Sequence, residues 1–361
     1  MRVACIITGL GLGGAETQVC ALVNELRRRG HDVLLISLTG NTAVLPLELI
    51  DVYSFDLKKS PLSFAKSFFD IYRLLKAWRP DVVHSHMFHA NIFARLLRSM
   101  LRVPLVCTAH STNEGGSIRM AIYRVTQWLS DYDTNVSVDA VNSFESKGAV
   151  RLGTMHVVPN GVDISHFHFN LKSRNEFREK WGVADDEFCF VAVGRMEPPK
   201  DYPNLLRAFA QVLTSSAKVK LFIVGDGSCR GNIENLIDEL GVSSSVTLLG
   251  VRRDVKEVMC ASDCLVLSSS FEGFGLVLAE AMACSRLVVT TDCGGTKQVV
   301  GDCGYVVPPM DSTALASAML SASRLSPQSR KMQGEVGRDR VVKQFSLDAV
   351  VDKWVKIYEN L

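Results

Sequence analysis

Two stretches of the chain indicate how it folds. Residues 188–200 read FCFVAVGRMEPPK, and residues 264–283 read CLVLSSSFEGFGLVLAEAMA. Each begins with a short apolar run of the kind that forms a buried strand, and each continues into a loop containing glycine or proline. In the second stretch a helix-forming segment, 277–283, follows the loop. A strand, a loop and a helix in this order predict one unit of a parallel sheet, with the loop at the carboxyl end of its strand.

Similar apolar runs alternate with longer amphipathic stretches along the whole chain. The first half contains predicted strands at 3–8, 33–38, 81–85, 105–109 and 134–137. The second half contains predicted strands at 188–194, 220–224, 246–249, 264–267 and 287–290. A polar segment separates the two series. We therefore predict an α/β protein with an N-terminal domain at 1–165, a linker at 166–185 and a C-terminal domain at 186–345.

The composition is that of a globular protein with room for two domains. The chain has 361 residues, of which 47% are hydrophobic. Lys and Arg total 40 while Asp and Glu total 38, and this net charge of +2 argues against a general nucleic-acid binder. The longest uncharged stretch, 33–47, contains glycine, asparagine and proline and does not predict a membrane span. The ten cysteines include no Cys-x-x-Cys pair, which favours a reducing cytoplasm.

A glycine-rich loop follows the first predicted strand. Gly9, Gly11 and Gly14 satisfy the G-x-G-x-x-G pattern of dinucleotide-binding proteins. A nicotinamide site also needs an acidic residue about 20 positions further on, and residues 37–39 are Ser, Leu and Thr. We therefore interpret the loop as a general anion-binding turn in front of a helix that starts at Ala15, with a tight turn without a ligand as the alternative.

Two cations follow the first strand of the C-terminal domain. Arg195 comes directly after Gly194, and Lys200 follows two prolines that stiffen the loop. At the carboxyl edge of a parallel sheet, a planar guanidinium and a compact ammonium are suited to flank a diphosphate. The alternative is that both are ordinary surface cations.

Two glutamates lie at and beyond the loop that follows the strand 264–267. The amides of Phe274, Gly275 and Leu276 at the start of a helix can meet a phosphate, where the helix dipole adds to the attraction. Glu280 lies eight residues after Glu272, so one can reach a ribose while the other stays in the loop. Each glutamate alone could instead be a capping or solvent-facing residue.

The order of these motifs resembles glycosyltransferase family 4. The motifs are 13–16 (GGAE), 160–163 (NGVD), Gly194-Arg195 with Lys200, 225–227 (GDG) and the Glu272/Glu280 pair. Residues 108–116 (TAHSTNEGG) look like those of bacterial members that build surface polysaccharides. The resemblance implies a retaining, metal-independent transferase without a cofactor, with two Rossmann-like domains facing across a cleft and a final helix, 347–361, that packs back on the first. One departure is 294–298 (GGTKQ), where the family usually has Pro-Glu after its glycine pair.

The resemblance also implies how the diphosphate of a sugar nucleotide is bound. Arg195 and Lys200 would neutralise the leaving diphosphate, in place of the divalent metal that other transferases require. Gly13 and Gly14 would contact the same diphosphate from the other domain.

The remaining roles concern the sugar and the nucleoside. Glu280 would bind the ribose hydroxyls, and Glu272 the hydroxyls of the donor sugar near its anomeric carbon. His110 would face the transferred sugar, unless it is a histidine satisfied in a strand-end turn. Val251 and Arg252 would lie beside the nucleobase.

Two other motifs admit a metal-binding interpretation. His84, His86 and His89 form an H-x-H-x-x-H pattern, but the pattern spans a strand end and a helix start with no Cys or carboxylate at ligand spacing. Residues 131–133 (DYD) have the D-x-D form of metal-dependent transferases, yet a helix-terminating turn is the preferred interpretation. We predict no metal site.

A basic segment in the first half suggests contact with a membrane. Nine cations lie between residues 58 and 102 against two acids, namely Lys58, Lys59, Lys66, Arg73, Lys76, Arg79, Arg95, Arg98 and Arg102 against Asp70 and Asp81. The helix at 61–78 carries an apolar stripe, for which a core-facing role is the alternative. Arg95, Arg98 and Arg102 are the predicted contacts with anionic lipid.

The sequence as a whole predicts transfer of a hexose or N-acetylhexosamine from a nucleotide-sugar, UDP-linked by preference, to a lipid-linked oligosaccharide. The process would be bacterial surface polysaccharide synthesis, of O-antigen, capsule or exopolysaccharide. The expected location is the cytoplasm, with peripheral attachment at the inner face of the cytoplasmic membrane. The alternatives are a GDP-mannose-dependent mannosyltransferase, a nucleotide-sugar 2-epimerase of the same fold and a catalytically silent sugar-nucleotide binder.

Overall fold

The computed structural model describes residues 1–11, 13–40, 42–58, 60–216 and 218–361. Leu12 of the glycine loop and Lys59 of the basic segment lie outside these residues. The chain forms two compact units, Met1–Gly161 with Leu347–Leu361 and Val162–Ser346. Each unit has a parallel sheet with helices, which confirms the predicted α/β fold class.

The first unit contains a seven-stranded sheet in the order β3-β2-β1-β4-β5-β6-β7. Its strands are β1 (Arg2–Ile7), β2 (Asp32–Ser37), β3 (Asp51–Ser54), β4 (Val82–His86), β5 (Leu105–Ala109), β6 (Tyr132–Asn135) and β7 (Met155–Val157). Its helices include α1 (Gly14–Arg28), α2 (Pro61–Trp78), α3 (Phe88–Leu101), α4 (Gly116–Thr126) and α5 (Val138–Ser146). The strand order reverses between β1 and β4, the position at which sheets of this kind bind ligands.

The second unit contains a six-stranded sheet in the order β10-β9-β8-β11-β12-β13. Its strands are β8 (Phe188–Val193), β9 (Val219–Val224), β10 (Val246–Gly250), β11 (Cys264–Leu267), β12 (Leu287–Thr291) and β13 (Tyr305–Val307). Its helices are α6 (Leu171–Lys180), α7 (Tyr202–Ser215), α8 (Arg230–Glu239), α9 (Val255–Ala261), α10 (Leu276–Ala283), α11 (Thr296–Val300), α12 (Ser312–Ser323) and α13 (Pro327–Phe345). Here the order reverses between β8 and β11.

All ten predicted strands are present within two residues of their predicted positions. The prediction missed β3, β7 and β13, which are edge strands of their sheets. They have three or four residues each, and none has the fully buried run of a central strand. A continuous apolar run marks a strand that is covered on both faces of its sheet. These edge strands are partly exposed, so their sequences lack such a run.

The segment at 166–185 is not a linker but part of the second unit. It contains α6, whose Arg174 and Arg178 bind Asp263 through guanidinium–carboxylate contacts of 2.7 and 3.4 Å. A highly polar helix therefore packs through its cations, which hydrophobic periodicity does not reveal. The final helix, α14 (Leu347–Glu359), belongs to the first unit and packs against α1.

The apolar stripe of α2 faces the core of the first unit. Ile71 and Leu75 are fully buried, and Phe68 packs edge-on against Phe93 of α3 at 5.5 Å between ring centroids. The core-facing interpretation of this helix therefore holds. No helix in the described ranges is both long enough and apolar enough to cross a bilayer.

The predicted membrane patch is wrong at Arg95. Arg95 is 0% exposed, and its guanidinium binds Asp133 at 2.8 Å. Arg98 forms two hydrogen bonds with Asp131, of 2.9 and 2.8 Å, so its charge is paired. Arg102 alone of the three is exposed. The three arginines lie on one face of α3, and Arg95 is the one that α4 covers: its guanidinium also donates to the Tyr123 carbonyl at 3.1 Å, whereas Arg102 lies at the exposed C-cap.

Candidate active site

Three of the predicted donor-binding residues lie in loops at the carboxyl edge of the second sheet, where the strand order reverses. The loop after β8 carries Arg195 and Lys200, and the loop after β11 carries Glu272. Several hydrogen bonds join the loops: among them, Ser268 Oγ donates to the Lys200 carbonyl at 2.9 Å, and the Ser270 amide donates to the Pro199 carbonyl at 2.9 Å. The sheet topology thus brings together residues that are distant in the chain.

Lys200 and Glu272 form an ion pair within this edge. The distance from Lys200 Nζ to Glu272 Oε1 is 2.5 Å, and Ser269 Oγ donates to the same oxygen at 2.7 Å. Their side chains are 24% and 13% exposed, so the ammonium remains partly accessible to a ligand. Arg195 is exposed, and no described residue accepts a hydrogen bond from its guanidinium. The edge therefore offers an exposed cation, with Glu197 nearby, and a cation paired with Glu272 to an anionic group.

Two glycines hold these loops close to their neighbours. Gly225 has φ +134°, and a Cβ there would overlap the Gly194 carbonyl oxygen, which accepts a hydrogen bond from Tyr202 OH at 2.9 Å. Gly294 has φ +58°, and a Cβ there would lie 2.8 Å from the Glu272 carbonyl carbon. Gly294 belongs to the loop that departs from the family pattern, and this loop supports the Glu272 backbone.

Helix α10 begins just after Glu272. Its N-cap is Gly275, with φ +83°, and its positive dipole end faces the same loop. The Phe274 side chain is buried, with its ring 5.5 Å from Phe345, so only its main chain is free to act in a site. Leu276 is the first residue of the helix and is partly exposed.

Glu280 lies in the second turn of α10. Burial raises the pKa of its carboxyl group from the ordinary 4.5 to about 7. The carboxylate is therefore held in a poorly solvated position in the protein without donor. Hydrogen-bond donors such as ribose hydroxyls would relieve that cost.

We expect the stability of Glu280→Gln, relative to that of the unsubstituted protein, to increase as the pH rises. A carboxyl whose pKa is raised in the folded state binds more protons there than in the unfolded chain between about pH 4.5 and 7, so its contribution to stability falls across that window. Relative to the unsubstituted protein, the variant should gain about 1–3 kcal/mol of unfolding free energy between pH 5 and pH 8. Urea denaturation at both values measures this, with the exposed Glu239→Gln as the control. An equal difference at both values would contradict the raised pKa.

The two residues expected beside the nucleobase follow β10. Val251 is 64% exposed. The Arg252 guanidinium donates to Asp254, with Nε 2.7 Å from Oδ1, and lies over the ring of Trp181 at 5.6 Å from its centroid. Arg252 thus contacts Asp254 in its own turn and Trp181 at the C-cap of α6. The sequence did not suggest these two contacts.

In the first unit, Gly13 and Gly14 lie at the start of α1. Gly13 is the N-cap and Gly14 the first helical residue, one position before the predicted start. Among the described residues, no atom other than those of its chain neighbours and its own helix backbone lies within 4 Å of a Cβ at Gly14. A Cβ at Gly13 would overlap the Glu16 carboxylate, which folds back over this helix end.

His110 directly follows β5 in the first unit. Its amide donates to Glu114 Oε1 at 3.2 Å, and the same carboxylate accepts a hydrogen bond from Tyr123 OH. On the ring, Nε2 lies 3.1 Å from Nδ1 of His86. Glu114 and His86 were not predicted to act with His110. The available signals were the H-x-H spacing, which puts His84 and His86 on one face of a strand, and the register of adjacent strands.

The motifs considered for metal binding are engaged elsewhere. His84 is buried, with Tyr358 OH at 2.7 Å from Nδ1 and Thr108 Oγ1 at 2.7 Å from Nε2. Asp131 and Asp133 bind the arginines of α3 described above. Across the described parts of the chain, no group of three or more His, Cys, Asp or Glu has the geometry to hold a metal ion.

Comparison with known proteins identifies the family. A model described as "Glycosyltransferase Family 4" matches residues 12–166, and one described as "Glycosyl transferases group 1" matches residues 173–340. The D-inositol 3-phosphate glycosyltransferase of Segniliparus rotundus is 30% identical over 307 residues, covering 78% of this chain and 67% of that one. The UDP-Gal:alpha-D-GlcNAc-diphosphoundecaprenol alpha-1,3-galactosyltransferase of Escherichia coli is 24% identical over 310 residues, covering 82% and 79%.

The fold also matches a solved structure over its full length. The Anabaena protein HepE, crystallised in complex with UDP-glucose, superimposes with a TM-score of 0.83 at 22% identity and covers 100% of both chains. The family models match the two sheet-containing units in order, and the relatives that match are sugar transferases. The chain therefore belongs to glycosyltransferase family 4.

Proposed function

We propose that this chain is a retaining, metal-independent glycosyltransferase that moves a hexose or N-acetylhexosamine from a UDP-sugar to a lipid-linked oligosaccharide. The observation that carries the proposal is the contact of Lys200 with Glu272 at the reversal of the second sheet, with Arg195 exposed on the same loop as Lys200. Cations held at this edge suit a diphosphate leaving group, while a carboxylate next to them suits the hydroxyls of the sugar attached to it.

The proposed reaction uses the diphosphate as both leaving group and base. The bond from the anomeric carbon to the phosphate oxygen breaks, and a bond to the acceptor hydroxyl oxygen forms on the same face. The acceptor proton passes to the departing phosphate oxygen. Lys200 and Arg195 stabilise the negative charge that develops there, Glu272 orients the sugar, Glu280 binds the ribose and His110 contacts the transferred sugar.

Named relatives support the choice of donor and acceptor. HepE was crystallised with UDP-glucose, and the Escherichia coli relative is named for a UDP-galactose donor and a diphosphoundecaprenol-linked acceptor. A lipid-linked acceptor places the proposed reaction at the inner face of the cytoplasmic membrane, in surface polysaccharide synthesis. A GDP-mannose donor is the second candidate. A nucleotide-sugar 2-epimerase would consume the donor without an acceptor.

A donor screen tests this function. UDP-, GDP-, ADP- and dTDP-sugars are titrated in the presence of EDTA, with binding measured calorimetrically and nucleotide release measured with and without a short-chain polyprenyl-diphosphate saccharide. We expect one UDP-sugar to bind, and its nucleotide to be released in an acceptor-dependent way that EDTA does not change. Loss of activity on chelation would contradict the role of the two cations. Donor consumption without an acceptor would favour the epimerase, and transfer only to inositol phosphate would contradict the lipid-linked acceptor.

A further inference from the structure

Two histidine rings of the first unit are joined edge to edge at the end of the sheet. His86 is the last residue of β4, and His110 follows the adjacent β5. The distance from His86 Nδ1 to His110 Nε2 is 3.1 Å. The other two nitrogens, His86 Nε2 and His110 Nδ1, are buried and have no hydrogen-bond partner among the described residues. Buried polar atoms without a partner are uncommon and indicate a missing ligand or water.

The protons of this pair can be counted. A neutral imidazole carries one N–H and one lone pair. The bond between the rings uses one N–H and one lone pair, so the two outer nitrogens share one N–H and one lone pair. If His86 Nδ1 donates to His110 Nε2, then His110 Nδ1 carries a hydrogen. If His86 Nδ1 accepts from His110 Nε2, then His110 Nδ1 carries a lone pair. The hydrogen bond therefore couples the tautomer of His110, and with it what His110 offers to a substrate, to the tautomer of His86.

The surroundings keep His86 neutral and fixed. His86 is 2% exposed, and burial lowers the pKa of its imidazole well below the ordinary value. Burial likewise lowers the pKa of His110 to about 4. The ring of His84 packs against His86 with 4.0 Å between centroids, and both ring nitrogens of His84 are occupied by Tyr358 and Thr108. His86 therefore cannot turn away from His110 without displacing this packing.

A small cavity adjoins the pair. Its volume is about 10 Å³, and its lining includes His86, His110, Gln18, Asn160 and Trp354. A space of this size admits a single water or hydroxyl oxygen. The unpartnered nitrogens thus have a site in which such an oxygen can satisfy them.

We propose that His86 is the positioning residue of His110, holding it in one neutral tautomer so that its Nδ1 presents a fixed donor or acceptor to a hydroxyl group. The inference deepens the proposed function, in which His110 contacts the transferred sugar. It requires that His110 populate one tautomer in the folded protein and lose that preference when His86 cannot form a hydrogen bond.

Nitrogen NMR of the full chain tests this directly. With 15N-labelled histidine, long-range 1H–15N correlations distinguish the two tautomers, and His110→Ala identifies the His110 signals. At pH 7.5 we expect His110 in a single tautomer in the unsubstituted protein. In His86→Leu, the chemical shifts of the His110 ring nitrogens should move toward the average of both tautomers. In His86→Asn, which retains a hydrogen-bonding group near the position of Nδ1, His110 should keep a single tautomer. Averaged signals in the unsubstituted protein would overturn the proposal, even if no variant folds.

Kinetics supply the second readout. We expect His86→Leu to lower kcat about tenfold to a hundredfold with a smaller change in the donor KM, and His86→Asn to recover most of kcat. The exposed His156→Asn should leave both constants unchanged and serves as the control. An unchanged tautomer and kcat in His86→Leu would overturn the proposal. A protein that transfers no sugar but keeps the tautomer response would instead refute the proposed function alone.

Discussion

Lys200→Ala is expected to lower kcat/KM for the donor about 10²- to 10³-fold. The substitution removes a cation from the edge where the diphosphate would leave, and loss of one preorganised group that stabilises developing charge has an effect of this size. It also leaves Glu272, 13% exposed, with Ser269 as its remaining side-chain partner. Steady-state rates of nucleotide release with acceptor present measure the effect.

A matched substitution separates this effect from the loss of any lysine. Lys218 also pairs with a carboxylate, Asp186, but it precedes β9 at the opposite end of the same sheet. Lys218→Ala should leave kcat/KM within about twofold, because exposed ion pairs contribute little. If Lys200 serves only to neutralise Glu272, the double variant Lys200→Ala/Glu272→Gln would recover the activity of Glu272→Gln alone. That recovery, or a small effect of Lys200→Ala alone, would contradict a role on the diphosphate.

Gly294→Ala is expected to destabilise the second unit by about 2–4 kcal/mol and to reduce activity sharply. At φ +58° an alanine is strained, and its Cβ would overlap the carbonyl oxygen of Glu272. The backbone fixes the position of this Cβ, and the oxygen it meets is itself a backbone atom, so the overlap cannot be relieved without shifting a loop. A displacement of Glu272 by about 1 Å would by itself cost about a hundredfold in rate. Urea denaturation and kcat/KM measure the two effects.

Gly241→Ala distinguishes steric contact from backbone strain. Gly241 has φ +66° in the same unit, and a Cβ there would have no atom within 4 Å. The free energy of unfolding of this variant should fall by only about 1–2 kcal/mol, the cost of an L-residue in the left-handed region, and kcat/KM should not change. Equal losses of stability in the two variants would contradict the close approach of Gly294 to Glu272.

Several features of the site followed from local sequence patterns. The apolar runs at β8 and β11 placed Arg195, Lys200 and Glu272 in loops at one edge of a sheet, and Lys200 and Glu272, 72 residues apart, are in contact there. Glu280 likewise lies on the predicted helix. Such predictions succeed because parallel strands align their carboxyl ends, whatever the details of side-chain packing.

Predictions about charge and exposure were less successful. Arg95 was expected at a membrane surface and is buried against Asp133, and Arg98, expected there too, is paired with Asp131. A cation in a sequence looks the same whether it faces solvent or a buried carboxylate. Whether the cation is exposed or buried depends on its position along the helix and on whether an acidic residue distant in the chain lies next to it.

Local patterns were enough to predict the two-sheet architecture, the central strands and the loops that carry the candidate site, because hydrophobic periodicity and loop chemistry are local properties of the chain. The folded chain was needed to show that Lys200 is paired with Glu272, that Gly294 lies against the Glu272 backbone and that His86 binds His110. These contacts join residues from different strands and loops at distances of a few ångströms. Their existence depends on side-chain packing, which no local pattern specifies.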